Sequence, residues 1–150
     1  MAQIQSGATY KLVNAKAHNV LDLSGGDNRS IIGYDWHGGD NQKWQVSQSG
    51  SGWVFRNVGT GLYLRPDIGG GNLAENGTPV IADSEPFEWD IWPDEQDPSV
   101  FRIFVPNTPQ NVDLSDHGNA TPGTRVTLWW KWDGRNQCWH FEQGERRRFS

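Results

Sequence analysis

Two stretches of this chain set a carboxylate, an amide and aromatic rings at matched spacing. In the first, Asp22 is followed by Ser24, Gly25 and Gly26, then by Tyr34, Trp36 and His37, and then by Asn41. In the second, Asp113 is followed by Thr127, Trp129 and Asn136. A carboxylate can accept from two neighbouring hydroxyls, and such charge-assisted bonds are the strong kind. An amide donates and accepts, a ring offers a flat apolar face, and glycines beside the carboxylate let backbone N–H groups come close. The set suits a ligand with vicinal hydroxyls and a patch of C–H groups, as in a hexose.

These groups recur because the elements that position them recur. Asn41-Gln-Lys-Trp44 returns as Asn136-Gln-Cys-Trp139, Asp22-Leu-Ser returns as Asp113-Leu-Ser, and Ile31-Ile-Gly-Tyr34 returns as Val126-Thr-Leu-Trp129. A weaker copy lies between them, with Leu64-Arg65, Val80-Ile81 and Phe87-Glu-Trp89 at the corresponding points. Trp44, Trp89 and Trp139 stand 45 and 50 residues apart, each followed by the polar–apolar alternation of a half-buried strand. Repeats of this length must be explained before any other feature, because each is one unit that cannot bury its apolar face alone.

The chain has 150 residues, room for one domain over 1–150, with repeats at about 1–50, 51–97 and 98–150. With 18 Gly and 8 Pro, and no sustained 3.6-residue apolar period, it reads as short strands joined by Gly-, Asn- and Asp-rich turns. The predicted strands are 9–14, 20–23, 31–34 and 43–47, then 52–57, 62–64, 80–82 and 88–92, then 100–105, 111–114, 125–130 and 138–142. Twelve strands in three fourfold sets predict an all-β, closed, threefold pseudo-symmetric barrel, since closure removes exposed edges.

Several function classes are excluded. A net charge of −5 argues against nucleic acid, which wants a basic patch, and the basic cluster Arg146–Arg148 reads as a solvated tail. No apolar run approaches ~18 residues, so no membrane insertion is expected. The N-terminus lacks the basic region and apolar stretch of a secretory leader, so the expectation is a cytoplasmic protein or one released by an unconventional route, with unused sequons at Asn28, Asn76 and Asn119. One cysteine, Cys138, allows no disulfide framework and reads as a packed structural residue. The histidines at 18, 37, 117 and 140 show no zinc spacing, no calcium-loop pattern exists, and no phosphate loop, dinucleotide fingerprint or Gly-x-Ser-x-Gly is present. Ser24 and Ser115 each lie near an Asp, but nothing orders a catalytic triad. No catalytic residue, metal or cofactor is expected.

With Asp-Leu opening two repeats and a Gln-x-Trp-like close in register in all three, the chain resembles the ricin-B-type β-trefoil lectins over Tyr10 to Phe141. The stretch Asp22 to Trp44 is especially similar to mushroom lectins of the Clitocybe nebularis lectin type. The resemblance implies binding of glycans with a leaning to galactose and N-acetylgalactosamine, and a role in fungal defence. It also implies that Asp22, Asn41 and a third-strand aromatic, Tyr34, contact sugar, with Ser24, Gly25, Trp36 and His37 around them. Which ring stacks is open between Tyr34, Trp36 and His37.

The repeats are expected to differ. In the second, Arg65 replaces the aspartate and Pro86-Phe87 replace Asn-Gln, so no fork can form and Arg65 is left to pair with Asp67 or Glu88. The third keeps Asp113, Thr127, Trp129 and Asn136, and reads either as a second site or as a pocket filled by Trp130 and Trp132. Agglutination would need two sites per particle, from the third repeat or from a homodimer. The competing class is a β-trefoil protease inhibitor acting through loop 65–79 or 116–124, which has no use for the Asp…Asn fork.

Overall fold

The computed structural model describes residues 3–69 and 74–143. Part of the Gly69–Gly71 loop and the Arg146–Arg148 cluster lie outside them. Twelve strands form: β1 Ala8–Asn14, β2 Val20–Leu23, β3 Ile31–Tyr34, β4 Trp44–Ser49, β5 Gly52–Asn57, β6 Tyr63–Pro66, β7 Val80–Asp83, β8 Asp90–Pro93, β9 Phe101–Phe104, β10 Gln110–Leu114, β11 Val126–Trp130 and β12 Trp139–Gln143. Helix is limited among the described residues to two 3₁₀ turns, Asp40–Gln42 and Arg135–Gln137, and one turn at Ser115–Gly118.

Six strands close a ring. β1 pairs with β4, β4 with β5, β8 with β9, β9 with β12 and β12 with β1, all antiparallel. The remaining seam, β5 to β8, closes where Trp53 and Trp89 exchange backbone bonds of 2.8 Å in both directions. The other six strands are three hairpins, β2–β3, β6–β7 and β10–β11, that cap one end. Single bridges join them cyclically: Ser30 to Ile81, Pro79 to Thr127 and Arg125 to Ile32. The loop entering each hairpin's second strand therefore lies against the same strand of the next repeat. This is the β-trefoil architecture, and the expected strands are all present with ends shifted by one or two residues.

The spaced tryptophans show why the repeats pack. Trp44, Trp89 and Trp139 are fully buried, and their indole N–H groups donate to the carbonyls of Leu21, Leu64 and Val112 at 3.1, 2.9 and 3.1 Å. Each ties the last strand of its repeat to the cap hairpin, and its polar handle finds the partner that a buried indole needs. At about 25 cal/mol per Å² and roughly 150–250 Å² per ring, each contributes about 4–6 kcal/mol of burial. Leu12, Phe55 and Ile103, equivalent on β1, β5 and β9, fill the barrel between them at no exposure.

Candidate functional site

In the first repeat Asp22, Asn41 and Gln42 meet, and they do so deep in the fold. Asp22 sits inside β2 and is 3% exposed. Its Oδ2 accepts from Gln42 Nε2 at 2.8 Å and its Oδ1 from Asn41 Nδ2 at 3.3 Å. The third repeat repeats this bond for bond: Gln137 Nε2 donates to Asp113 Oδ2 at 2.9 Å and Asn136 Nδ2 to Asp113 Oδ1 at 3.2 Å. In both, the glutamine closes the loop ahead of it. Gln42 donates to the Asp35 carbonyl and accepts from the His37 N–H, as Gln137 does with the Trp130 carbonyl and the Trp132 N–H. Each carboxylate spends two of about four acceptor positions on these protein amides.

Burial raises the Asp22 carboxyl above its usual 3.8, against the lowering pull of Gln42, His37 and Asn41. Burial likewise raises Asp113, against Gln137, Asn136 and His117. In both sites burial disfavours the charged form more than the neighbouring donors favour it.

The fork amides are held from the neighbouring repeat, a link invisible in the motif itself. Asn57 Nδ2 donates to the Asn41 carbonyl at 3.0 Å, and Asn14 Nδ2 donates to the Asn136 carbonyl at 3.0 Å. Both asparagines also nucleate the turn that follows them: Asn14 Oδ1 accepts from Lys16 and Ala17, and Asn57 Oδ1 from Thr60. The third equivalent position, at the end of β9, is Val105, whose N–H takes the same bond to the Gln110 carbonyl. It would have held the second repeat's turn, where the fork is missing. In that repeat Arg65 pairs with neither Asp67 nor Glu88. It donates instead to the Glu85 and Pro86 carbonyls at 3.2 and 3.1 Å and lies over the Phe87 ring. A cation reaching backbone oxygens thus replaces the Asp–Gln clamp.

Around the first fork, Tyr34 is 41% and Trp36 40% exposed, so neither belongs to the core. His37 stands edge-on to Tyr34 at 6.2 Å, and its Nε2 is 4.0 Å from Asp22 Oδ2. Trp36 has the Lys11 ammonium over its ring at 4.7 Å, so one of its faces is covered by a cation. Ser24 Oγ accepts from the Gly26 N–H at 3.2 Å and shapes the turn. A β-carbon on Gly25 would meet nothing within 4 Å, so the fold does not itself demand glycine there. The steric need falls on Gly39, where a β-carbon would stand 2.5 Å from the His37 ring and 2.6 Å from Asn41 Oδ1. Gly134 has the same relation to Trp132 and Asn136.

The third fork lies under a cleft of about 640 Å³. Asp113, Thr127, Trp129 and Asn136 all line it, joined by Trp132 and, from the second repeat, Asn76. Trp130 and Trp132 do not fill it: they are 60% and 42% exposed and form walls. Ser115 and Thr127 share a 3.2 Å hydroxyl contact on the floor. Asp116 and His117 continue the wall in the left-handed region, at φ 55° and 54°. Sequence reasoning missed Asn76, Ser115, His117 and Lys131; only Ser115 carries a signal, as the counterpart of Ser24. Among the described residues no group of three or more His, Cys, Asp or Glu side chains could hold a metal ion. Cys138, packed with Ala15 and Val100, is structural as expected.

The model of ricin-type β-trefoil lectin domain-like proteins matches residues 2–83 and 40–129. The Macrolepiota procera ricin B-like lectin, solved in complex with lactose, is 47% identical with a TM-score of 0.90, covering 95% of this chain and 99% of that one. The Rhizoctonia solani agglutinin is 27% identical with a TM-score of 0.80, covering 95% and 99%. A designed threefold-symmetric protein, ThreeFoil, shares the fold at 22% identity and a TM-score of 0.79, over 90% of this chain and 98% of that one. No curated protein matches the chain.

Proposed function

We propose, from the premise that this chain belongs to the ricin-type β-trefoil lectin domain-like family, that it binds glycans without metal and without catalysis, and that its main site is the first repeat. One observation carries the reading: the buried Asp22 carboxylate, clamped by Gln42 and Asn41, stands beside the exposed rings of His37 and Tyr34. Two hydroxyls of one sugar face can donate to the carboxylate's free positions. Asn41 Oδ1 offers a further acceptor, and a ring packs on the C–H patch. The likeness to a lactose-bound relative supports terminal galactose as the ligand class. Asp113, Thr127, Trp129 and Asn136 offer a second set of the same groups.

Calorimetric titration with lactose, with and without EDTA, tests this. The expected result is saturable binding unchanged by the chelator. Binding abolished by EDTA overturns the metal-free mechanism. Absence of any sugar binding, together with nanomolar inhibition of a serine or cysteine protease, overturns the lectin reading in favour of the inhibitor class.

A further inference from the structure

The first and third repeats share the fork but not its surroundings, and the third carries mostly larger side chains around it. Bond-for-bond equivalence puts Trp132 where His37 stands and Trp129 where Tyr34 stands. Trp130 takes the place of Asp35. The turn after the aspartate carries Asp116 and His117 where the first repeat has Gly25 and Gly26. The wall lent by the preceding repeat also changes. Gly77 and Thr78 bond to Leu128 of β11 as Gly123 and Thr124 bond to Gly33 of β3, so Asn76 occupies the place of Pro122. Proline has no hydrogen to give; asparagine does.

Asn76 is built into the third cleft. Its Oδ1 accepts from the Trp130 N–H at 2.9 Å and from Gln110 Nε2 at 3.1 Å, which leaves its exposed Nδ2 as the group with hydrogens to offer. At the opposite end Asn136 is 1% exposed, and its Oδ1 is a buried acceptor with no partner among the described residues. Beside it Asp113, which also lines the cleft, has acceptor positions beyond the two filled by Asn136 and Gln137. The volume lies within the roughly 300–1,000 Å³ of sites that enclose ligands larger than one small ring. Polar groups therefore stand at both ends of the cleft, with the ring surface of Trp129, Trp130 and Trp132 along it.

We propose that the third repeat carries a second, non-equivalent site for a glycan of at least two rings. The inner sugar is held by Asp113 and Asn136, and the outer sugar by Asn76 Nδ2 and the face of Trp130. The proposal rests on the reading of the chain as a glycan-binding lectin and adds to it a length selectivity that the first repeat lacks.

The test compares galactose with a galactose-terminated tetrasaccharide by calorimetry in four proteins: the wild type, Asn41→Ala to weaken the first site, and Asn41→Ala combined with Asn76→Asp or with Trp130→Ala. Asn76→Asp keeps the oxygen that Trp130 and Gln110 need, removes the donor and puts a negative charge in its place. Trp130→Ala removes an exposed ring and keeps the backbone bonds, and near-ultraviolet circular dichroism reports folding for both. In Asn41→Ala the expected result is one tetrasaccharide per chain, bound more tightly than galactose. Either added change should cut that preference by about three- to tenfold, the loss of one hydrogen bond or one stacked ring. If Asn41→Ala binds no tetrasaccharide while the wild type binds sugar, the second site is refuted and the lectin reading stands. If the wild type binds neither sugar, the lectin reading fails and this one with it. A tetrasaccharide preference unmoved by both added changes overturns the outer subsite. Self-association of the wild type that Trp130→Ala abolishes, without sugar binding to Asn41→Ala, assigns the cleft wall to a second copy of the chain and overturns the proposal.

Discussion

Replacing Arg102 by methionine is expected to damage the third repeat out of proportion to the loss of one side chain. Arg102 lies on β9 at 3% exposure. Its Nε donates to Asp94 at 2.7 Å, one terminal nitrogen donates to Gln137 Oε1 at 2.8 Å and Asn111 Oδ1 at 3.1 Å, and the other to the Trp132 carbonyl at 2.9 Å. Methionine matches the length and none of the donors. Asp94 is then left as a nearly buried carboxylate without its cation, a change that costs about 3–5 kcal/mol. Asn111 Oδ1, fully buried, adds about 1 kcal/mol, while Gln137 keeps the Trp132 N–H and the Trp132 carbonyl lies nearer solvent. The sum is about 4–6 kcal/mol, or about 10–20 °C in melting temperature for a chain of this size.

Urea unfolding followed by tryptophan fluorescence measures that loss. Lys11→Met is the matched control, because Lys11 is the equivalent position in the first repeat yet makes only a 3.7 Å surface pair with Glu142 and a contact over Trp36. It should cost less than about 1 kcal/mol. Adding Asp94→Asn to Arg102→Met removes the stranded charge and should recover about half of the stability. A cost below about 1.5 kcal/mol for Arg102→Met, or no recovery in the double variant, would refute the claim that this buried cation organises the third repeat.

Four further outcomes follow from the same geometry. Asp22→Ala should lower sugar affinity about ten- to a hundredfold, from loss of about 1.5–3 kcal/mol of charge-assisted acceptance, and should also lower the urea midpoint because Gln42 loses a buried partner; full affinity at full stability contradicts the site. Because burial raises Asp22 and Asp113 above 3.8 and ligand hydroxyls need the ionised form, affinity should fall on acidification with a midpoint above 3.8. Between the raised value and 3.8 the folded chain binds more protons than the unfolded one, so these two groups add stability as pH falls through that window while binding is lost; lactose affinity unchanged from about pH 7 to about pH 4 would be inconsistent with this. The Cys138 thiol, pushed up to about 11 chiefly by burial, should not react with Ellman's reagent in the native protein at about pH 8 and should react fully in urea. Arg65→Ala should leave sugar affinity unchanged and cost under about 1 kcal/mol, since it frees only exposed carbonyls; reduced lactose affinity would show that the second repeat takes part.

The twelve strands, their threefold grouping, the equivalence of Trp44, Trp89 and Trp139, and the meeting of each aspartate with its asparagine are written in the sequence. These were legible because they depend on alternation along a strand and on residues a fixed distance apart within one repeat, where backbone geometry allows one arrangement. The damaged second repeat was legible for the same reason: Arg65 and Pro86 lack the required donors and acceptors whatever surrounds them. Tertiary structure alone decided what crosses between repeats. Asn57 and Asn14 hold the fork amides of their neighbours, and Asn76 walls a cleft otherwise built by the third repeat. Arg102, which the sequence marks only as part of strand 100–105, is buried with four partners. Asp22, placed by alternation in strand 20–23, is brought to 3% exposure by the closed cap around it. Closure of the ring brings residues from different repeats to within hydrogen-bond distance, and a repeat read alone carries no record of what its neighbour will present to it.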